Sequence, residues 1–263
     1  MFIIIEAKLN LSLFLGTPIT RESLSHQANI DRLYVHEDFV VDNLMIAVLG
    51  LDDCPYGKSI VIHAKLGVFY TDRTSRQLFN EYHDLNGVGF IPARQIAQHL
   101  NLPDHLPLVY GHVVYMPMAG KRHKNPDWIG LHMVEKFRSQ DDLACFTATN
   151  GIEIHLPKKQ FDLRTKVHNA CLFAETHLQM WALEVSSFGK FSPLHQNVGL
   201  TDQFTACLCD VHQLVPKTLA QVSSIRDRHM DKLTRDFSRN DIGIDSAEAS
   251  KEKIRIYHKM KHY

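Results

Sequence analysis

The sequence predicts an α+β protein with an antiparallel β-meander core, a short helix inserted between strands, and helices toward the C-terminus. Three observations lead to this class. Short β-branched and aromatic runs separated by turn residues fill the first half, an Asn-Gly pair joins two later runs, and helical periodicity follows Pro157. With 263 residues, of which 44% are hydrophobic, the chain can fill a substantial core.

The first strands are predicted from four apolar runs, at residues 39–41, 44–49, 59–63 and 67–70. Turn residues at 42–43 and 52–57 separate them, so their spacing predicts an antiparallel meander. Residues 91–100 have Pro92 near the first helical turn, carry apolar side chains at helical spacing and end before Pro103. They predict the inserted helix.

Strand-like composition returns at residues 108–118, 128–134, 144–149 and 152–156. Asn150-Gly151 lies between the last two runs and predicts a hairpin closed by a type I′ turn, whose two central residues both need positive φ. Apolar residues then recur on one helical face from Phe161 to Ala182, which predicts a helix of about six turns. The opposite, polar face would carry Lys158, Lys159, Arg164, Lys166 and Glu175. A last helix is predicted over residues 216–237.

The predicted domain organisation has three parts: a variable N-terminal extension at 1–30, a core at 31–190, and a helical, basic C-terminal region at 191–263. Lys+Arg and Asp+Glu balance at 29 each, but the residues from Lys217 onward include 11 basic and 7 acidic side chains. This basic end favours an anionic partner. Five irregularly spaced cysteines are typical of a reducing cytoplasm, and charges interrupt the first apolar run, so we expect neither secretion nor a membrane anchor.

The residues that could support catalysis or metal binding are sparse. Cys207, Cys209 and His212 place three potential metal ligands within six residues, but structural zinc needs four ligands and usually a Cys-x₂₋₄-Cys spacing. The fourth would have to come from far away in the chain, and two buried thiols are the simpler interpretation. His168 and Cys171 could meet on one helical face, but two ligands do not make a site.

The remaining candidates for catalysis have ordinary interpretations. Paired aspartates at 52–53 and 141–142 lie in predicted turns, where solvation is their expected role. Gly87-Val88-Gly89 lacks the third glycine of a dinucleotide fingerprint. We therefore expect no enzyme, no catalytic residues, no cofactor and no bound metal.

An ordered series of short motifs runs from Tyr34 to Trp181. It comprises Tyr34 with residues 44–48, Phe69-Tyr70, Asp72-Arg73-Thr74-Ser75-Arg76 with Phe79 and Tyr82, Pro107-Leu108, Tyr115-Met116-Pro117, Trp128-Ile129 with His132, and Asn150-Gly151 ahead of a helix. In order and spacing this series resembles the ComK family of bacterial competence transcription factors. Ser75 and Asp127 stand where that family has cysteines, and its Gly-Arg motif is not evident here.

The resemblance implies a cytoplasmic transcription activator of DNA-uptake genes that binds AT-rich double-stranded DNA through the minor groove. It also implies a homodimer or higher homo-oligomer on DNA, and a proteolytic adaptor as a further partner. The residues predicted to contact DNA are Arg73, Arg76, Lys121, Arg122, Lys124, Lys158 and Lys159. Two alternatives stay open: a degenerate interaction module that has lost DNA binding, and a thiol or metal protein that uses Cys207, Cys209 and His212.

Overall fold

The computed structural model describes residues 9–24, 33–52, 54–86, 90–102, 107–119, 123–158, 162–189, 199–204 and 207–227. The chain divides into two compact units, Met1–Val215 and Pro216–Tyr263. The first unit contains helices and antiparallel sheets, so the predicted α+β class is confirmed. The domain boundaries predicted at residues 30 and 190 stay predictions.

A six-stranded antiparallel sheet forms the larger layer of the first unit. Its strands are β1 (Met45–Gly50), β2 (Ser59–His63), β3 (Gly67–Thr71), β4 (Leu108–Tyr110), β5 (Val113–Pro117) and β6 (Trp128–Gly130). The order is β3-β2-β1-β6-β5-β4, so two meanders join where β1 pairs with β6. The first meander confirms three of the four predicted strands; residues 39–41 do not form a strand, although Phe39 and Val41 are buried. Every residue of β1, β2 and β3 is buried, which explains why the central residues of these strands are apolar on both faces rather than alternating.

The run predicted at 108–118 is a hairpin rather than one strand. Gly111 turns the chain between β4 and β5 with a φ of +57°. A positive φ costs least for a residue without a Cβ.

The second sheet is a three-stranded antiparallel meander of β7 (Val134–Gln140), β8 (Leu143–Ala148) and β9 (Glu153–Pro157). The hairpin predicted at Asn150-Gly151 is confirmed, but the type I′ turn is wrong, because only Gly151 of the pair has a positive φ, +83°. The Gly151 N–H donates to the Ala148 carbonyl at 2.9 Å. The loop therefore has three residues, of which the last is left-handed.

The helices are α1 (Arg21–Leu24), α2 (Ser75–Asn86), α3 (Phe90–His99) and α4 (Leu163–Ser186), and residues 219–227 of the second unit are also helical. α3 confirms the inserted helix, and α4 confirms the long one, which begins after an N-cap at Asp162. α2 is absent from the elements predicted above. Its start is a capping box, because Gln77 N–H donates to Thr74 Oγ1 at 3.2 Å while Thr74 N–H donates to Gln77 Oε1 at 2.9 Å.

The N-terminal residues contact both sheets. Leu9 forms an antiparallel bridge with Val68 of β3, and Ile19 forms a parallel bridge with Ile154 of β9. Leu9 and Ile19 are fully buried. In the part of the chain that the structure describes, no helix is both long enough and apolar enough to cross a membrane.

Candidate functional site

The aromatic residues on which the family resemblance depends lie together in the core of the larger sheet. The Phe79 ring lies 4.2 Å from Trp128 and 5.2 Å from Tyr115, measured between centroids, and Tyr115 meets His132 edge-on at 5.0 Å. Phe79, Tyr115 and His132 are all buried. These residues therefore stabilise the fold, and any contact with a partner must come from the polar positions around them.

Arg73 is engaged within the protein. Its guanidinium donates to the carbonyl of Glu37 at 2.9 Å and to the carbonyl of Phe39, and it forms an ion pair with Glu81 of α2. Only 18% of the side chain is exposed. Arg73 thus fastens residues 37–39 to α2, and these bonds compete with any contact to a phosphate.

Arg76 has a different environment, on the exposed side of the first turn of α2. Its Nη2 donates to the carbonyl of His123 at 3.1 Å. His123 directly follows the cationic residues 121–122, and Lys124 is exposed beside it. The structure therefore brings Arg76 to the end of the basic loop, two regions that are 47 residues apart in the sequence.

The end of this loop is held by Asn125. Its Nδ2 donates to the carbonyls of Leu51 at 3.1 Å and Lys58 at 2.6 Å, and its Oδ1 accepts from the Ser75 N–H at 2.8 Å. A Cβ added to Gly50 would lie 2.0 Å from the Asn125 carbonyl oxygen, so this approach requires glycine. Asn125 joins the loop, the β1 and β2 ends, and the start of α2.

The two positions where the family has cysteines lie close to this junction. The Ser75 hydroxyl donates to the Pro126 carbonyl at 2.7 Å. Asp127 is buried, accepts from the Gly50 N–H at 2.9 Å and pairs with Arg21 at 2.5 Å. Burial raises the pKa of Asp127, and the Arg21 charge opposes that rise. Both side chains have structural roles here.

The other predicted DNA contacts lie either outside the described residues or at the end of the second sheet. Lys121, Arg122 and Lys159 lie outside the described residues. Lys158 follows β9 of the second sheet, and its N–H donates to the Asp142 carbonyl at 2.6 Å. The seven DNA contacts stay predictions, with Arg76 and Lys124 the pair that the structure places at one location.

A second candidate site is a cluster of histidine and cysteine side chains formed by α4 and the last residues of the first unit. The ligand atoms of His168, Cys207, Cys209 and His212 all lie within 4.8 Å of one another. Three of these four residues are the cluster noted in the sequence, and His168 of α4 is the distant fourth. Cys171, its neighbour on the helix, is buried and bonds through its thiol to the Leu200 carbonyl at 3.4 Å.

Local structure explains how the cluster forms. Residues 199–204 dock against α4 and the start of β7, with Leu200 fully buried and the Gln203 amide donating to the Glu135 carbonyl at 2.8 Å. The chain then reaches Cys209, which begins a 3₁₀ helix over Asp210–Leu214 that returns His212 toward the thiols. His99 of α3 holds the end of that helix through the Leu214 carbonyl, at 2.6 Å.

The distances inside the cluster are short. Cys209 Sγ lies 3.1 Å from His212 Nδ1 and 3.6 Å from His168 Nε2. The pKa of Cys209 is lowered to about 6, chiefly by the hydrogen bond from the His212 side chain. The backbone N–H groups of His212 and Val211 also lower it, and burial opposes the change. Its thiolate is thus favoured at neutral pH.

Glu175 faces this cluster rather than solvent, which corrects its predicted place on the polar face of the helix. It lies two turns after His168, hence on the same side of α4. Its Oε2 is 3.2 Å from His212 Nε2. Burial raises the pKa of Glu175, and the neighbouring His212 opposes the rise.

In comparisons with known proteins, the chain matches no protein-family model, no curated protein and no solved structure.

Proposed function

We propose that the chain is a DNA-binding regulator whose contact surface is formed by Arg76 and the basic loop 120–124. The observation that carries this proposal is the bond from Arg76 to the His123 carbonyl, at 3.1 Å. It unites the two basic regions that sequence order alone leaves apart. The ordered motifs that resemble the ComK family supply the class of ligand.

The chemistry of this surface suits AT-rich DNA. The minor groove of such DNA is narrow and strongly negative, so Arg and Lys side chains recognise its width without reading individual bases. A cationic loop with an anchored base reaches into a groove at a lower entropy cost than a loop without an anchor. The zero net charge of the chain is compatible with this mode, because only one face must be basic.

The finer features of the proposal come from the resemblance. They are a cytoplasmic location, activation of DNA-uptake genes, assembly as a homodimer or higher homo-oligomer on DNA, and control by a proteolytic adaptor. Weakened or absent DNA binding would instead favour the degenerate interaction module.

The test is a gel-shift titration on a duplex with two phased A-tract/T-tract boxes and on a GC-rich duplex, at several salt concentrations. We expect preference for the AT-rich duplex and competition by a minor-groove drug. Each phosphate contact contributes about 0.9 to the slope of log affinity against log salt, so the triple change Lys121→Ala, Lys124→Ala and Arg122→Ala should reduce that slope by up to about 3.

A matched control removes the same charge elsewhere. Lys65, Lys136 and Arg138 are exposed, and their joint replacement by alanine should leave affinity and slope nearly unchanged. Equal affinity for both duplexes at every salt concentration would refute AT-rich recognition. Equal slopes for the loop variant and the control would remove the loop from the interface.

A further inference from the structure

We propose that this protein binds one structural Zn²⁺ ion through the thiolates of Cys207 and Cys209, Nε2 of His168 and Nδ1 of His212. This site is independent of the proposed DNA contact, which lies on α2 and the basic loop. It also differs from the expectation drawn from the sequence, in which no metal is bound.

The ligand types select the ion. Two thiolates with two imidazoles form a Cys₂His₂ set, which is typical of structural zinc and disfavours hard ions such as Mg²⁺ and Ca²⁺. Zinc bonds of about 2.3 Å to sulfur and about 2.0 Å to nitrogen place tetrahedral ligand atoms about 3.3 to 3.8 Å apart. The measured separations within the cluster are 3.1 and 3.6 Å for two pairs and at most 4.8 Å for all of them. The side chains therefore need only small movements to close on an ion.

The outer nitrogens of both histidines provide a second, independent observation. His212 Nε2 lies 3.2 Å from the Glu175 carboxylate, and His168 Nδ1 lies 3.3 Å from Asn169 Oδ1. His212 Nε2 is buried and makes no hydrogen bond in this geometry, so its ring must reorient slightly to donate to Glu175. Once each outer N–H donates to its oxygen, the other nitrogen presents its lone pair to the thiols. Metal-binding histidines are oriented in this way by carboxylate and carbonyl acceptors.

The unusual Cys-x-Cys spacing is explained by the local backbone. Cys209 is extended, with φ −69° and ψ 154°, and side chains two residues apart in extended backbone point to the same side. The intervening Leu208 is 96% exposed. Both thiols can thus face His168 while Leu208 points to solvent.

The arrangement is that of a structural centre. Four protein ligands fill a tetrahedral zinc ion and leave no position for a substrate or a reactive water. The ligands also connect α4 to the segment that ends the first unit, since Cys207 follows His168 by 39 positions in the sequence. Ion binding would therefore stabilise the docking of residues 199–204 and 207–214, because the metal binds the folded arrangement and not the unfolded chain.

The experiment begins with the full chain stripped by a chelator and titrated with Co²⁺, a spectroscopic substitute for zinc. We expect thiolate-to-cobalt charge-transfer bands and tetrahedral d–d bands that saturate at one ion per chain and disappear when Zn²⁺ is added. A chelator should lower the melting temperature of the zinc-loaded protein. Absence of these bands in the wild-type protein would overturn the proposal.

Variants separate this site from other thiols. Cys209→Ser should abolish the charge-transfer intensity from that ligand and make the melting temperature insensitive to chelator, while the control Cys54→Ser should behave as wild type. Glu175→Gln should weaken zinc binding by about 10- to 100-fold through its effect on His212. Identical cobalt spectra in Cys209→Ser and wild type would also overturn the proposal. Circular dichroism of each variant establishes that the variant is folded.

Discussion

Replacement of Asn125 by alanine should destabilise the first unit by about 2 to 3 kcal/mol. Asn125 makes three short bonds, to the Leu51 carbonyl at 3.1 Å, the Lys58 carbonyl at 2.6 Å and the Ser75 N–H at 2.8 Å. Each such bond contributes about 1 kcal/mol to stability. The Lys58 carbonyl still accepts from the Leu51 N–H at 2.8 Å, so losing its bond to Asn125 should cost less than the average of about 1 kcal/mol. Ser75 is fully buried, so leaving its N–H unpaired should cost more.

The measurement is urea unfolding of both proteins followed by tryptophan fluorescence, with the free energy of unfolding extrapolated to water. Asn150→Ala is the matched control, because Asn150 is exposed and its side chain accepts a single bond, from the Ile152 N–H at 3.3 Å. We expect a loss of about 0.5 kcal/mol for the control. If Asn125→Ala loses no more than Asn150→Ala, Asn125 is not the anchor described above.

The same variant also tests how the basic loop acts. Asn125→Ala leaves every loop cation in place but removes the bonds that fix the end of the loop. We therefore expect weaker binding to AT-rich DNA with an unchanged salt slope, since the number of phosphate contacts stays the same. A reduced slope would mean that the variant changes the contacts themselves.

Two further predictions concern backbone packing and pH. Gly199 has a φ of +56°, and an added Cβ would lie 2.5 to 2.7 Å from the carbonyl oxygens of Leu131, His132 and Val134. Gly199→Ala should therefore lower the free energy of unfolding by at least about 2 kcal/mol. A variant with the wild-type melting temperature would contradict this close approach. Burial lowers the pKa of both His132 and His177, so the unfolded chain takes up protons that the folded chain excludes. The free energy of unfolding should therefore fall as pH decreases from about 6.5, and His177→Phe should make this fall less steep. Urea unfolding at several pH values measures it. The same pH dependence in the variant and the wild type would refute the role of His177.

The elements that sequence reasoning identified are those with strong local signals. β2 and β3 coincide with apolar runs bounded by turn residues, and α3 carries Pro92 in its first turn and ends before Pro103. α2 was also predictable, because Thr74 and Gln77 form a capping box ahead of buried Leu78 and Phe79. The turn at Asn150 was not, since the choice between two- and three-residue loops depends on the register of β8 and β9.

The candidate sites depended on contacts that no local pattern contains. Arg73 and Arg76 look equivalent in sequence, and they differ because the carbonyls of residues 37 and 39 and the carboxylate of Glu81 lie beside Arg73. The partner that completes Cys207, Cys209 and His212 is 39 residues before the first of them. It could be found only after residues 199–204 had been placed against α4.

The bridges made by Leu9 and Ile19 have a consequence for how this protein is handled. β3 and β9 are the outermost strands on one side of their sheets, and each has a row of backbone groups that a strand from another molecule could pair with. Leu9 and Ile19 cover part of these two edges within the same molecule. A shortened chain that begins at residue 31 would keep the Val35 bridge to Tyr70 on β3 but lose the pairing at Val68 and at Ile154. It would expose the end of β3, the edge of β9 and the apolar surface beneath them, and we expect it to aggregate even where its remaining fold is intact.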